Sequence, residues 1–177
     1  MDYLTDAELV KRAHRDHAAF ETLMRRHGPR VSALARSMVG ESSAEDVLQE
    51  VFISVYKSLS GFRGDSEFST WLHRITLNAC YGKLKKTPID SLEHYELSSS
   101  QNVQKNAERA QVRQLIEQGL QTLPLEQREA FALREFSGLE YDAIADLLRC
   151  QLGTVKSRIS RARNSLREYL SARGITP

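Results

Sequence analysis

Apolar residues recur at helical spacing along most of the 177-residue chain. The repeat begins with Leu9, Val10 and Ala13, and it is still present at Val155 and Ile159 near the other end. Steps of three and four residues place such side chains on one face of an α-helix. Neither strand-like alternation nor a hairpin signature competes with this repeat. The pattern therefore predicts an all-α fold.

Polar and glycine positions predict where the first helices begin and end. Thr5 and Glu8 have the spacing of a capping box, so a helix should start there. A short break is expected around residues 15–17, and residues 28–29, a Gly-Pro pair, predict a kink or a brief interruption. Gly40 is expected to end the second apolar stretch.

The next helix is expected to open at one of two adjacent serines. Ser42 and Ser43 each stand three residues before an acidic residue, which is the spacing of an N-cap with its partner. One side of this helix is polar, and by itself that pattern is typical of a solvated face. The polar side consists of Asp46, Gln49, Glu50 and Lys57. A tight loop over residues 61–66 and another apolar helix follow.

A change of composition divides the chain into two domains. Pro88 breaks helical continuity, and the residues after it are rich in Ser, Gln and Asn with acidic residues among them. That composition is typical of a flexible linker. The sequence thus predicts two small helical domains, at residues 1–86 and 108–177, joined by a linker at 87–107.

The C-terminal domain contains a predicted helix-turn-helix at residues 141–163. Two short helical segments are separated by a turn of a few residues, and Gln151 is a weak N-cap for the second. Such a unit crosses its helices steeply, so the second helix can enter a DNA major groove about 12 Å wide. The proportions therefore favour DNA binding.

Charge is concentrated on that second helix. The formal net charge of the whole chain is +2, whereas residues 149–173 contain seven basic residues and one acidic residue. Val155 and Ile159 should face inward and the cations outward, and amides at the helix start can hold a phosphate. A solvated basic helix is the alternative interpretation. The candidate DNA-contacting residues are Gly153, Thr154, Lys156, Ser157, Arg158, Ser160, Arg161 and Arg163.

Several other classes of function find no support in the sequence. No apolar run approaches the roughly 20 residues that span a bilayer, and the first 20 residues lack a signal-peptide pattern, so a cytoplasmic protein without membrane insertion is expected. No catalytic constellation, cofactor motif or small-molecule site is recognisable. Cys80 and Cys150 lie apart and are expected to be buried thiols. A nucleic-acid enzyme with His73 and Cys80 in a metal site remains an alternative.

Three stretches together resemble a known family. The run LPLEQREAFALREFSGLEYDAIADLLRCQLGTVKSRISRAR is similar to region four of bacterial sigma factors. The runs AEDVLQEVF and FRGDSEFSTWLHRITLNA are similar to region two. Their order and spacing resemble the extracytoplasmic-function (ECF) group, which retains only these two regions. A conventional helix-turn-helix regulator is the alternative, but it does not explain the two region-two motifs.

The resemblance implies partners and further site residues. Region two would bind core RNA polymerase through Asp46, Gln49, Glu50 and Phe52. It would also capture a flipped base of the minus-ten promoter element. The contacts in the pocket that binds this base must offset the free-energy cost of unstacking it. Arg74 and Lys83 would follow the backbone of the DNA strand. The residues implied for binding this element are Phe62, Arg63, Gly64, Asp65, Ser66, Arg74, Asn78 and Lys83. Region four would recognise the minus-thirty-five element, and an anti-sigma factor is a common partner in the family.

Trp71 has two interpretations. Stacking on a base would contribute about 1–3 kcal/mol, but a single tryptophan on an apolar helix face more often belongs to the core, and we favour the core. Primary sigma factors have two adjacent tryptophans here, whereas this chain has Trp71 followed by Leu72. The resemblance therefore implies that the protein melts promoter DNA only modestly and selects its promoters strictly.

Overall fold

The computed structural model describes residues 3–86 and 104–175, and within the latter range the side chains from residue 110 onward. These residues form α-helices and one short 3-10 helix, without a strand in either described range. The all-α prediction is confirmed. The helices are α1 Asp6–Ala13, α2 His17–Val39, α3 Glu41–Ser58, α4 Phe68–Lys86, α5 Gln104–Gln121, α6 Leu125–Glu135, α7 Tyr141–Leu148 and α8 Leu152–Ser171, with the 3-10 helix at Leu59–Gly61.

The N-terminal half, residues 3–86, begins with the predicted capping box. The Glu8 amide donates to the Thr5 hydroxyl at 3.3 Å, and the Thr5 amide donates to the Glu8 carboxylate at 2.7 Å. The predicted break follows, since Asp16 caps the start of α2. Although Pro29 lies inside it, α2 continues to Val39 without interruption. The Gly-Pro pair therefore does not divide this helix.

Gly40 ends α2 as predicted, but it also changes where α3 begins. Its φ of +81° suits glycine and lets the chain turn directly from one helix into the next. Consequently α3 begins at Glu41 with Gly40 at the N-cap and no side-chain cap bond. The prediction of Ser42 or Ser43 as N-cap was wrong, because both serines already lie inside the first turn.

The C-terminal half, residues 104–175, contains the predicted helix-turn-helix as α7 and α8. α7 ends at Leu148, and the left-handed backbone of its C-cap residue Arg149 (φ 52°) reverses the chain before α8. α8 then runs to Ser171, eight residues beyond Arg163. α5 begins at Gln104, so the last residues of the predicted linker 87–107 are helical, while residues 87–103 lie outside the described ranges.

Glycine is required where α5 and α8 cross. A Cβ at Gly119 would lie 2.6 Å from Leu166 Cδ1 and 2.8 Å from Tyr169 Cδ1, well inside van der Waals contact. Leu120, Leu166 and neighbouring apolar residues form a small core at this crossing. The missing side chain therefore allows α8 to approach α5 closely.

We expect Gly119→Ala to lower the free energy of unfolding by about 1–2 kcal/mol, because overpacking outweighs the gain in helix propensity. Gly82→Ala is the matched control, since a Cβ at Gly82 in α4 meets nothing within 4 Å. That substitution should be neutral or stabilise by up to about 1 kcal/mol. Urea unfolding of both variants measures the difference, and equal effects would contradict the close approach.

The two halves pack against each other. Buried apolar residues form one continuous cluster from Leu4 in the N-terminal half to Ile159 in α8, and α2 lies against both α5 and α6. The core centres on α2, where Leu23, Leu34 and Met38 are fully buried. None of the helices within the described ranges has both the length and the apolar content needed to cross a bilayer.

Candidate nucleic-acid and protein interfaces

The outer face of α8 is basic and open to solvent. Val155 and Ile159 are buried as predicted, and the exposed side chains include Lys156, Ser160 and Arg161. A cleft of about 420 Å³ runs along this face. Its lining is Tyr141, Lys156, Ile159, Ser160, Arg163, Asn164 and Arg167. The shape and charge suit a polyanion such as the DNA backbone.

Two polar residues of α8 that line this cleft were missed from the sequence. Asn164 and Arg167 lie beyond the predicted recognition segment, yet α8 continues through them. Ser160, Arg163 and Arg167 follow Lys156 at steps of four, three and four residues, so one face carries all of them. That spacing was the signal, and the prediction stopped too early because it ended the helix at Arg163.

Arg158 departs from the outward orientation that the sequence predicted. Its side chain is only 16% exposed, and its Nη2 lies 2.7 Å from Glu126 Oε2. Its Nη1 lies 3.8 Å from Glu129 Oε1 and 3.8 Å from Cys150 Sγ. Both carboxylates belong to α6, so Arg158 holds α8 against α6. In this structure it is not presented to solvent.

Three more predicted DNA contacts already have partners inside the chain. The Thr154 amide donates to the Gln151 carbonyl at 2.9 Å, so it is not available to a phosphate, and Gly153 remains the candidate amide. The Ser157 hydroxyl donates to the Thr154 carbonyl at 3.0 Å. Arg163 pairs with Glu135 at 2.5 Å but stays about half exposed, so it can still contact a ligand.

The second candidate site is the loop before α4. Arg63, Gly64, Asp65 and Ser66 are all exposed, and Gly64 has a φ of +79° that glycine adopts readily. Phe62 is half-buried and packs against the aromatic rings of α4. The loop therefore presents polar side chains next to a cluster of aromatic rings.

Trp71 belongs to that cluster of aromatic rings. Its ring centroid lies 5.0 Å from Phe62 and 5.7 Å from Phe68, and it is half-buried against the core. The position supports the core interpretation while leaving part of the ring accessible. Arg74 and Asn78 are exposed one turn apart further along α4, so both can face the same DNA strand.

The polar face of α3 is exposed as a continuous strip. Asp46, Gln49 and Glu50 are exposed, and Asp46 Oδ2 accepts from Lys83 Nζ of α4 at 2.7 Å. The pair joins a predicted protein-binding residue to a predicted DNA-binding residue. Both side chains lie near the surface, so the ion pair contributes little to stability.

Phe52 does not belong to this strip. It is half-buried on the side of α3 that faces α2, where its ring tip would lie 4.0 Å from a Cβ at Gly28. Ile53 and Tyr56 continue the strip instead, with 55% and 63% of their surfaces exposed. The sequence prediction did not include Ile53 and Tyr56, because it named only the polar residues and Phe52 on this helix.

Two titratable side chains of α4, His73 and Cys80, are buried. Burial raises the pKa of the Cys80 thiol to about 12 and, together with the charges of His27 and Arg30, lowers the pKa of His73 to about 4. His73 is therefore neutral at physiological pH. Cys150 is half-buried rather than buried, and no group of three metal-ligating side chains occurs within the described ranges.

Comparison with sequence profiles of known families identifies the class of protein. The sequence profile of sigma-70 region 2 matches residues 23–87, and that of sigma-70 region 4 matches residues 113–166. The strip on α3 and the loop before α4 thus fall within the first match, and the α8 face up to Asn164 falls within the second. A conventional helix-turn-helix regulator accounts for the second match but not for the first.

Full-length relatives define the group. The chain is 36% identical to the ECF RNA polymerase sigma-E factor of Escherichia coli K12, over 93% of this chain and 94% of the relative. It is 39% identical to the RNA polymerase sigma-H factor of Pseudomonas aeruginosa PAO1, over 93% of both chains. The chain belongs to the ECF sigma factors and is an alternative sigma factor.

Two solved structures are similar over both halves. The structure of CnrH in complex with the cytosolic domain of CnrY superposes with a TM-score of 0.70 at 27% identity, covering 94% of this chain and 97% of that one. The sigma factor RpoE from Bartonella quintana, in complex with the anti-sigma factor NepR, gives a TM-score of 0.69 at 28% identity, covering 86% and 96%.

Proposed function

We propose that the N-terminal half docks on core RNA polymerase through the exposed strip of α3 and engages the minus-ten element through the loop before α4. The C-terminal half recognises the minus-thirty-five element through the outer face of α8. One observation carries this assignment. The acidic strip and the basic face lie on separate exposed helices, each within its own sigma region. The protein acts in the cytoplasm, where polymerase and promoters are.

Run-off transcription tests the function directly. Purified chain and core polymerase are incubated with a library of promoter fragments, and we expect transcripts from a small subset that shares two sequence elements at constant spacing. The control omits the chain. Failure to bind core polymerase, or initiation without promoter preference, would contradict the proposal. The recovered fragments also give the promoter sequence.

We propose no catalytic or metal-dependent role for this chain. His73 and Cys80 are both buried within α4, so neither offers a ligand at the surface. Elemental analysis of the purified protein checks this, and stoichiometric zinc or iron would favour the metal-enzyme alternative. An anti-sigma factor is a further proposed partner, because one of the two similar structures contains one.

The docking strip yields a binding prediction. We expect Asp46→Ala and Glu50→Ala each to weaken the affinity of the full chain for core polymerase by about 5- to 30-fold, the range for interface residues worth about 1–2 kcal/mol. Glu168→Ala is the matched control, since it removes one exposed carboxylate from α8. Fluorescence titration with core polymerase measures all three, and equal affinities would exclude this strip as the docking face.

The geometry separates two arginines that the sequence treats alike. We expect Arg161→Ala to reduce affinity for the preferred minus-thirty-five duplex by about 1–3 kcal/mol, with little change in the free energy of unfolding. Arg158→Ala should mainly lower the free energy of unfolding, because it leaves Glu126 and Glu129 of α6 without their cation. Polymerase-dependent promoter binding and urea unfolding of the same two variants test this. An Arg158→Ala protein of unchanged stability that loses base preference would reverse the assignment.

A further inference from the structure

The turn between α7 and α8 contains an arginine in a backbone conformation that favours glycine. Arg149 has φ 52° and ψ 48°, in the left-handed region, where the Cβ of an L-residue crowds the following carbonyl oxygen. Asn and Asp are the other residues that adopt this conformation most readily, and neither stands here. The remaining positive-φ residues of the described ranges are all glycines: Gly40, Gly64, Gly138 and Gly174. The turn therefore carries a strain that glycine would remove.

Neighbouring residues hold this turn rigidly. The Arg149 amide donates to the Ala145 carbonyl, and the Cys150 amide donates to the same oxygen at 3.0 Å. The Cys150 sulfur lies 3.8 Å from Nη1 of Arg158, which in turn is anchored to two glutamates of α6. The backbone of Arg149 is thus fixed by contacts that its own side chain does not make.

The Arg149 side chain has no role in holding the protein together. It is exposed, and within the described ranges its guanidinium forms no hydrogen bond or ion pair with another residue. Asp146 of α7 stands three residues earlier, but it does not pair with Arg149. Packing therefore gives no reason for an arginine rather than a glycine at this position. Strained backbone positions of this kind cluster at ligand-binding sites.

The location of Arg149 indicates which ligand its guanidinium binds. It precedes Leu152, the first residue of α8, by three residues, so the two Cα atoms lie within about 11 Å of each other. In a helix-turn-helix the N-terminal residues of the second helix contact base edges in the major groove. A side chain on the turn before that helix is placed beside the sugar-phosphate backbone at the edge of the groove. A guanidinium suits that place, because its planar fork of N–H donors matches the oxygens of a phosphate.

We propose that Arg149 is a DNA-contacting residue that binds a phosphate at the minus-thirty-five element and thereby fixes the position of α8 in the major groove. The inference rests on the function proposed above and adds a contact outside the α8 face. Phosphate contacts determine register and orientation, whereas base contacts determine sequence preference. Because the turn is already rigid, binding has to order only the side chain of Arg149.

Arg149→Gly tests the strain and the contact together, because it relieves the first and removes the second. We expect its melting temperature, followed by circular dichroism, to rise by about 2–4 °C. Arg149→Lys keeps a cation on the same strained backbone, so its melting temperature should stay unchanged. Arg15→Gly is the matched control, since it makes the same change at an exposed arginine whose φ is negative. Its melting temperature should not rise, because glycine there only adds freedom to the unfolded chain.

Promoter binding is then measured with the full chain and core polymerase at several salt concentrations, on the promoter that the run-off library returns. We expect Arg149→Gly to bind about 3- to 10-fold more weakly than the wild type. The slope of the logarithm of the binding constant against the logarithm of the salt concentration should become shallower by about 0.9, the value for one phosphate contact. The fold loss should be the same whichever base pair of the minus-thirty-five element is changed.

The two companion variants show whether charge at this position is responsible. Arg149→Lys should keep the slope of the wild type and recover most of the affinity, because an ammonium still binds a phosphate as a point charge. Arg15→Gly should match the wild type in both affinity and slope.

Each other outcome overturns the inference. With a wild type that prefers its promoter, an Arg149→Gly protein of unchanged affinity and slope would show that the guanidinium does not contact DNA. A loss confined to one base pair would show that Arg149 binds a base instead of a phosphate. A melting temperature that does not rise would show that the turn holds no strain. A wild type without promoter preference would refute the proposed function and this inference with it.

Discussion

Arg128→Ala is expected to lower the free energy of unfolding by about 3–5 kcal/mol, the largest effect of any single substitution considered for this chain. Arg128 is only 8% exposed, and its guanidinium donates to the carbonyls of Met38, Gln121 and Leu123 and to the Gln121 side chain. Its removal leaves buried carbonyls at the ends of α2 and α5 without donors. Burial lowers the pKa of Arg128, yet a guanidinium remains charged at neutral pH.

Arg128→Lys is the informative companion to that substitution. The lysine ammonium keeps the charge, but it lacks the planar fork of donors with which the guanidinium reaches both helix ends. We therefore expect an intermediate loss of about 1–3 kcal/mol in the free energy of unfolding. Arg167→Ala removes an exposed arginine from α8 and should change stability by less than about 0.5 kcal/mol. Urea unfolding of the three variants gives the comparison. A loss below about 1 kcal/mol for Arg128→Ala would mean that water replaces its bonds.

Acidification is expected to destabilise the protein through His73. Its pKa is lowered from 6.5 to about 4 because the imidazole is buried in α4, with His27 and Arg30 adding to the effect. The folded state therefore keeps His73 neutral, while the unfolded state binds a proton below pH 6.5. Stability from this group is complete above that value, declines as the pH falls, and is fully lost near pH 4. Between pH 7.5 and pH 5 the decline amounts to about 2 kcal/mol.

His73→Gln isolates this contribution because glutamine does not titrate. The variant should lose about 2 kcal/mol less than the wild type between pH 7.5 and pH 5, whatever its absolute stability. His14→Gln is the matched control, since it makes the same change at an exposed histidine near the end of α1. Urea unfolding at several pH values measures the slopes. Parallel curves for the wild type and His73→Gln would show that folding does not lower the pKa of His73.

Local features of the fold were predictable from the sequence because neighbouring residues determine them. Thr5 and Glu8 form a capping box wherever the following residues are helical, and α4 spans the segment that its apolar pattern indicated. Gly40 ends α2 because its positive φ suits glycine. Each of these outcomes depends on residues fewer than five positions apart or on one helix period.

Side-chain orientation on a helix was less predictable, because a polar residue has a partner only if another helix supplies it. Arg158 and Arg161 have similar sequence neighbourhoods, but α6 places Glu126 and Glu129 beside the first. No acidic side chain within the described ranges pairs with the second. Phe52 and Ile53 are adjacent apolar residues, and only Phe52 faces α2. Their roles differ through packing rather than composition.

By itself the sequence determined the helical class, the two regions and the family to which the chain belongs, because periodicity, caps and motif order are written in short stretches. Tertiary structure alone decided that the two halves are joined through Arg128, Gln121 and the Tyr81–Glu129 bond. These contacts connect residues 48 to 90 positions apart. Such pairings depend on how whole helices dock, and no local pattern encodes that.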